Sequence, residues 1–215
     1  MKYDPWKVQA VLDKLQQKFQ KNSYKGYMNF FTWEELQEIW LISDTHFWHK
    51  NIIEYCGRPQ DWQEICINNW NDVIKDDDTV LHLGDFSLGN KEMTKEVTSM
   101  LNGNIIMIGG NHDRHGKQWY KDVGITKIGP FVVHSGKLED DKIVYFTHRP
   151  LQDDDLGKGC YCIHGHWHQK SLFVWEGFNG CKYMNVSVEQ MHYKPRKFKN
   201  LLPILVGLQS EKGMV

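Results

Sequence analysis

The sequence predicts an α/β layered domain, and two observations carry that expectation. Five short apolar runs, each closed by glycine or polar residues, have the length and composition of buried strands. Segments with helical spacing of apolar residues lie between several of them, and strands alternating with helices build layered sheets.

The runs follow in order. Ile39-Trp40-Leu41-Ile42 ends at Ser43-Asp44, Val80-Leu81-His82-Leu83 at Gly84-Asp85, and Ile105-Ile106-Met107-Ile108 at Gly109-Gly110-Asn111. Ile143-Val144-Tyr145-Phe146 ends at Thr147-His148, and Tyr161-Cys162-Ile163 at His164-Gly165-His166. Between them, Trp62 to Ile74 (Ile65, Trp70, Val73, Ile74) and Lys91 to Leu101 (Met93, Val97, Met100, Leu101) have helical spacing. Ahead of the first run, Val8, Val11, Leu12, Leu15 and Phe19 predict an amphipathic helix over residues 5–20. Thr32 followed by Glu34 and Glu35 predicts a second short helix to about Gln37. The expected organisation is an N-terminal helical accessory segment, residues 1–37, and one domain over 38–215.

Composition narrows the partners. A formal net charge of −1 supplies no field for a long nucleic acid. The basic stretch Lys194, Arg196, Lys197 and Lys199 reads as solvated surface, with a phosphate-contacting patch as the other use. The residues after Met1 lack an apolar signal core, and no apolar run approaches the ~20 residues of a membrane span. Five cysteines without framework spacing fit a reducing compartment, so a cytoplasmic location and no membrane partner are expected. Cys160 and Cys162 face the same way in an apolar run and read as buried filler rather than a soft-metal pair.

In α/β sheets, ligands gather beyond the strand carboxyl ends. All five predicted strands end there in residues able to ligate a metal: Asp44, His46, Asp85, Asn111, His148, His166 and His168. Mixed nitrogen and oxygen donors suit Mn, Fe, Zn or Ni and disfavour copper(I) or an iron–sulfur cluster. These seven side chains exceed the needs of one tetrahedral ion and suffice for two ions about 3.5–4 Å apart with a bridging carboxylate. Asp44 and His46, like His166 and His168, are two apart, which in extended chain puts both on one side.

The blocks Asp44-Thr45-His46, Gly84-Asp85, Gly110-Asn111-His112-Asp113, His148 and Gly165-His166-Trp167-His168 resemble, in order, those of the calcineurin-like metallophosphoesterases. The resemblance spans about residues 38–190 and is nearest to compact bacterial and phage-encoded members. It implies a four-layer α/β/β/α sandwich with mixed sheets and the site at one edge of both. It also implies two divalent cations, Mn²⁺ foremost: one on Asp44, His46, Asp85 and His168, the other on Asp85, Asn111, His148 and His166. His112 would face a substrate phosphate, with Asp113 orienting it. The implied activity is hydrolysis of a phosphoester by hydroxide activated between the two ions. A diester is preferred because a proton donor such as His112 helps expel an alkoxide.

Around this centre, Arg149 and Arg58 are candidate phosphate contacts, and His49 a polar contact at the rim. His82 and His164 read as supporting or core histidines. Trp48 and Trp167 depart from the small residues usual in these slots. They could stack a nucleobase of a small nucleotide substrate, or simply pack at the rim of a chain with nine tryptophans. Other readings are a phosphomonoesterase, a non-catalytic scaffold of the same fold, and a nuclease. The scaffold is disfavoured by the full set of ligands, and the nuclease by length and charge.

Overall fold

A computed structural model of the chain describes residues 31–134, 143–152, 156, 159–171, 173–177 and 180–207. The helix expected over residues 5–20 lies outside them. The first described helix, α1 (Trp33–Glu38), starts as the sequence suggests: Thr32 Oγ1 accepts from the Glu35 amide at 3.2 Å, and Glu35 Oε2 accepts from the Thr32 amide at 2.8 Å.

Strands β1 (Trp40–Ile42), β2 (Thr79–His82), β3 (Asn104–Ile108) and β4 (Ile125–Ile128) pair in parallel, and β10 (Arg196–Lys197) closes the β1 edge antiparallel. In the second sheet, β6 (Ile143–Phe146), β7 (Tyr161–His164) and β9 (Lys182–Asn185) are parallel. Antiparallel edges β5 (Phe131–His134) and β8 (Val174–Glu176) flank them. The fold is thus the α/β architecture expected, with two mixed sheets.

Period-two alternation explains the layers. Leu41, Leu81, Ile106 and Ile108 face Val144, Phe146, Ile163 and Met184 across the space between the sheets. Ile42, Val80, Ile105 and Met107 face the other way, onto Trp62, Cys66, Trp70 and Val97. The short helix α2 (Ile52–Cys56) adds Ile52 to this cluster; Trp62, Cys66 and Trp70 belong to α3 (Trp62–Asn71), Val97 to α4 (Lys91–Met100), and α5 (Lys117–Asp122) adds Tyr120. On the outer face of the second sheet, Tyr145, Cys162 and Tyr183 are covered by Leu156 and Cys160 from the preceding loop. Helices α1 and α6 (Phe198–Leu205) close the inter-sheet core with Leu36, Phe198, Leu201 and Leu205. Phe31 and Leu36 therefore pack on the domain itself.

The basic stretch is spent on the surface. Lys197 and Lys199 pair with Glu38 at 2.8 and 2.7 Å, and Lys194 with Asp72 at 3.6 Å. Cys160 and Cys162 are buried beside Cys181, and all five cysteines are free thiols. Among the described residues no helix is long and apolar enough to cross a membrane.

Candidate metal centre

The carboxyl ends of six parallel strands, three from each sheet, meet at one edge. A bridge between Ser43 and Ser187 ties β1 to the residues after β9 there. The loops that follow carry all seven sequence-predicted donors, and the side chains converge. Asp44, His46 and His168 present one group of atoms within metal-holding distance of one another; Asp85, His148 and His166 present another. Asn111 joins the second group, its Oδ1 3.1 Å from His148 Nε2.

Asp85 Oδ2 lies between the two groups, 3.6 Å from His46 Nε2 and 3.3 Å from His148 Nε2. Asp44 Oδ1 is 3.8 Å from His46 Nε2 and 3.7 Å from His168 Nε2. Ligand atoms about 2.0–2.2 Å from a shared ion stand roughly 3–3.5 Å apart, so these separations are near what a cation between them requires. Asp44 Oδ1 and His46 Nε2 are buried and have no hydrogen-bond partner among the described residues. A buried polar atom left so is costly, and a cation would satisfy both.

Most of these donors are held by one atom while another stays free. Asp44 Oδ2 accepts from the His166 amide (2.8 Å) and from Ser187 Oγ (3.0 Å), leaving Oδ1 inward. Asp85 Oδ1 accepts from the His112 amide at 2.8 Å, leaving Oδ2. His148 Nδ1 donates to the Leu83 carbonyl at 2.8 Å, and His168 Nδ1 lies 3.0 Å from Glu189 Oε1, so each Nε2 is turned to the centre.

The backbone departs from the sequence expectation. Asp44, His46, Asp85, His166 and His168 all have φ between +49° and +70°, the left-handed region, so the paired donors do not sit on extended chain. Non-glycine residues pay about 1–2 kcal/mol there, and such conformations cluster at functional sites. Close approach also explains two glycines. A Cβ on Gly110 would overlap the Asp85 carboxylate, and one on Gly165 would overlap Asp44 Oδ2 and Ser43 Oγ.

Charge follows geometry. Burial opposes ionisation of Asp44, yet the neighbouring imidazoles of His46, His148 and His168 hold its carboxyl well below the usual range. Asp85 is lowered likewise, burial being outweighed by its bond to His148. Burial and the adjacent His148 and Arg149 lower His166 to about 4, which leaves a neutral imidazole able to ligate.

The remaining candidates divide. His112 is exposed, its ring 5.3 Å from that of His46, at the open side of the centre. The Asp113 carboxylate accepts from the amides of Asp85 (2.6 Å), Gly110 (2.8 Å) and Phe86 (3.2 Å), clamping the second and third loops together, and from the Tyr120 hydroxyl at 3.4 Å. His49 is half-buried with Nδ1 3.2 Å from His46 Nδ1. Burial and the neighbouring His46 and His112 bring it down to about 4. Arg149 is exposed beside His166. Two candidates are turned away. Arg58, expected at a phosphate, is buried; its guanidinium donates to the carbonyls of Asp44 and Thr45 (both 2.7 Å) and pairs with Glu189. With those bonds made it has little left for a ligand. Trp48 donates its indole N–H to the Met93 carbonyl at 3.0 Å and packs into the helix-side core. His82 and His164 are buried supports, as expected. His82 bonds Thr45 Oγ1 (3.1 Å) and is pushed down to about 3 by burial; His164 Nδ1 donates to the Gly165 carbonyl (2.6 Å).

Sequence reasoning missed Glu189. It follows β9, orients His168 and neutralises Arg58. No apolar run announces β9, whose residues are Lys182-Tyr183-Met184-Asn185.

Fold and site together define a class: a two-sheet α/β protein of metallophosphoesterase type. The family model of the calcineurin-like phosphoesterase superfamily domain matches residues 38–188, and the chain belongs to that family. It is 34% identical over 187 residues to the uncharacterized protein MJ1445 of Methanocaldococcus jannaschii, covering 84% of this chain and 95% of that one. The crystal structure of AQ665, a protein of unknown function from Aquifex aeolicus, is similar at a TM-score of 0.57 and 25% identity. That likeness covers 77% of this chain and 98% of the other.

Proposed function

We propose that the protein hydrolyses phosphoesters, a small diester in preference, with two divalent cations held by Asp44, His46, Asp85, Asn111, His148, His166 and His168. The observation that supports this most is the paired arrangement around Asp85 Oδ2, with a histidine Nε2 on either side at 3.6 and 3.3 Å. Manganese is the first choice for this mixed donor set, with iron, zinc and nickel also suited. When bound, two such ions supply Lewis acidity and a water acidified towards neutral pH.

The chain's own residues do the rest. Asp85, fixed by the His112 amide and by Asp113 under its loop, sets the spacing of the two halves. His112, exposed beside His46, is placed to offer a proton to a leaving oxygen. That role favours diesters, whose alkoxide leaving groups need it most. Arg149 adds positive charge where a phosphate would enter. The free thiols support a cytoplasmic location.

The test is turnover of bis(p-nitrophenyl) phosphate and p-nitrophenyl phosphate with added Mn²⁺, alongside metal analysis. Faster diester hydrolysis, abolished by Asp85→Asn and depressed by His112→Ala, is expected. Faster monoester hydrolysis would overturn the diester preference. No turnover and no bound metal would instead make the protein a non-catalytic scaffold of this fold.

A further inference from the structure

Beside the proposed centre lies a cavity of about 760 Å³ that the reaction itself does not need. His166 and Arg149 form the wall nearest the centre; Trp167, Trp175 and Tyr183 form another. The three aromatic rings are stacked. Trp167 lies parallel to Trp175 (centroids 5.5 Å, 16° between planes), and Trp175 to Tyr183 (4.9 Å, 5°). Buried His164 stands edge-on to all three, at 5.9, 5.0 and 6.4 Å, and braces them from the protein side.

The ladder is graded in exposure. Tyr183 is buried, Trp175 is half-buried, and Trp167 is 41% exposed, among the few large apolar side chains left in solvent. An exposed indole already fixed by stacking offers its surface to a flat partner at little cost in side-chain entropy. The volume is that of an ordinary small-molecule site. Its edge carries the polar groups Gln152 and Glu176, able to meet ring nitrogens and exocyclic amines.

We infer that this cavity is the subsite for a nucleobase, and that the substrate is a nucleoside phosphoester whose base stacks on Trp167 while its phosphate faces Arg149 and His166. The inference rests on the phosphoesterase reading for the position of the phosphate, and it names the substrate class of that site. Trp167 is the specificity-determining residue; Trp175 and Tyr183 position it. A base on an aromatic platform strengthens binding roughly 5- to 150-fold over the same ligand without a base.

The test compares two non-hydrolysable ligands by calorimetric titration of the Mn²⁺-loaded protein: the phosphonate isosteres of adenosine monophosphate and of ribose 5-phosphate. The ratio of their dissociation constants cancels any change at the phosphate end. The wild type should bind the adenosine ligand at least fivefold more tightly. Trp167→Leu should bring the ratio to within twofold of one, and Trp167→Phe should keep most of it. Equal binding of the two ligands by the wild type would overturn the inference. So would a ratio unchanged in Trp167→Leu, or one lost in Trp167→Phe as fully as in Trp167→Leu. Turnover of bis(p-nitrophenyl) phosphate by the same wild-type preparation separates the two claims. Turnover without base discrimination refutes the subsite alone, and discrimination without turnover refutes the hydrolytic reading alone.

Discussion

Glu189→Ala isolates the support beneath the site from the site itself. The Glu189 carboxylate takes Nε and Nη2 of Arg58 at 2.8 and 2.7 Å and His168 Nδ1 at 3.0 Å, and its side chain is 8% exposed against 0% for Arg58. Alanine therefore strands a buried guanidinium without its counter-charge, left with its bonds to the Asp44 and Thr45 carbonyls and its place 4.7 Å over the Trp62 ring. Breaking a buried pair from one side costs about 3–5 kcal/mol. For a domain of this size that is a fall of about 6–20 °C in Tm. His168 also loses the acceptor that fixes its ring, and losses of this kind lower metal affinity about 10- to 100-fold. Thermal unfolding by circular dichroism reads the first effect, and Mn²⁺ titration below the transition reads the second. A Tm within 2 °C of the wild type together with a twofold or smaller change in Mn²⁺ Kd would refute the reasoning.

Other outcomes follow from the same contacts. Burial works against charge on His168, but Cys56, Glu189 and Asp44 raise it to about 10 in the metal-free protein. A raised histidine stabilises fully below its ordinary 6.5, and that contribution is lost as pH rises through 10, so the chelated protein should lose stability across that window. Metal must displace this proton, so Mn²⁺ affinity should climb with pH over the same range, by about tenfold per unit for one proton released; a flat profile would contradict the assignment. Gly165→Ala drives a methyl into Asp44 Oδ2 and Ser43 Oγ; we expect a loss of about 1–3 kcal/mol in urea unfolding and weakened metal binding, with wild-type behaviour refuting the close packing. Trp70 is 1% exposed and donates to the Asn102 carbonyl at 2.9 Å, so Trp70→Ala should cost about 3–5 kcal/mol in the same assay.

Much of this was legible before the structure. The five apolar runs are β1, β2, β3, β6 and β7, because a buried parallel strand needs a continuous apolar stretch and its ligand-bearing loop needs polar and small residues. Edge strands are another matter. β8 is Val174-Trp175-Glu176 and β10 only Arg196-Lys197, each paired on one side and too short or polar to leave a pattern. The set of candidate donors that converge was readable because chemistry restricts which side chains can ligate. The left-handed backbone that aims Asp44, His46, Asp85, His166 and His168 was not, since nothing in an aspartate or histidine favours positive φ strongly enough. Partner choice was equally hidden. Arg58 reads as a phosphate contact until its neighbour is known to be Glu189, 131 residues away. Trp167 and Trp48 look alike in sequence, and only packing sends one to solvent and the other to the Met93 carbonyl.

A crystal grown with Mn²⁺ and measured at the manganese absorption edge locates the ions by their anomalous scattering. Two peaks about 3.5–4 Å apart, on either side of Asp85 Oδ2, are predicted, one near Asp44 and His168 and the other near Asn111 and His148. A single peak, or density that leaves Asp85 uncoordinated, would contradict the account.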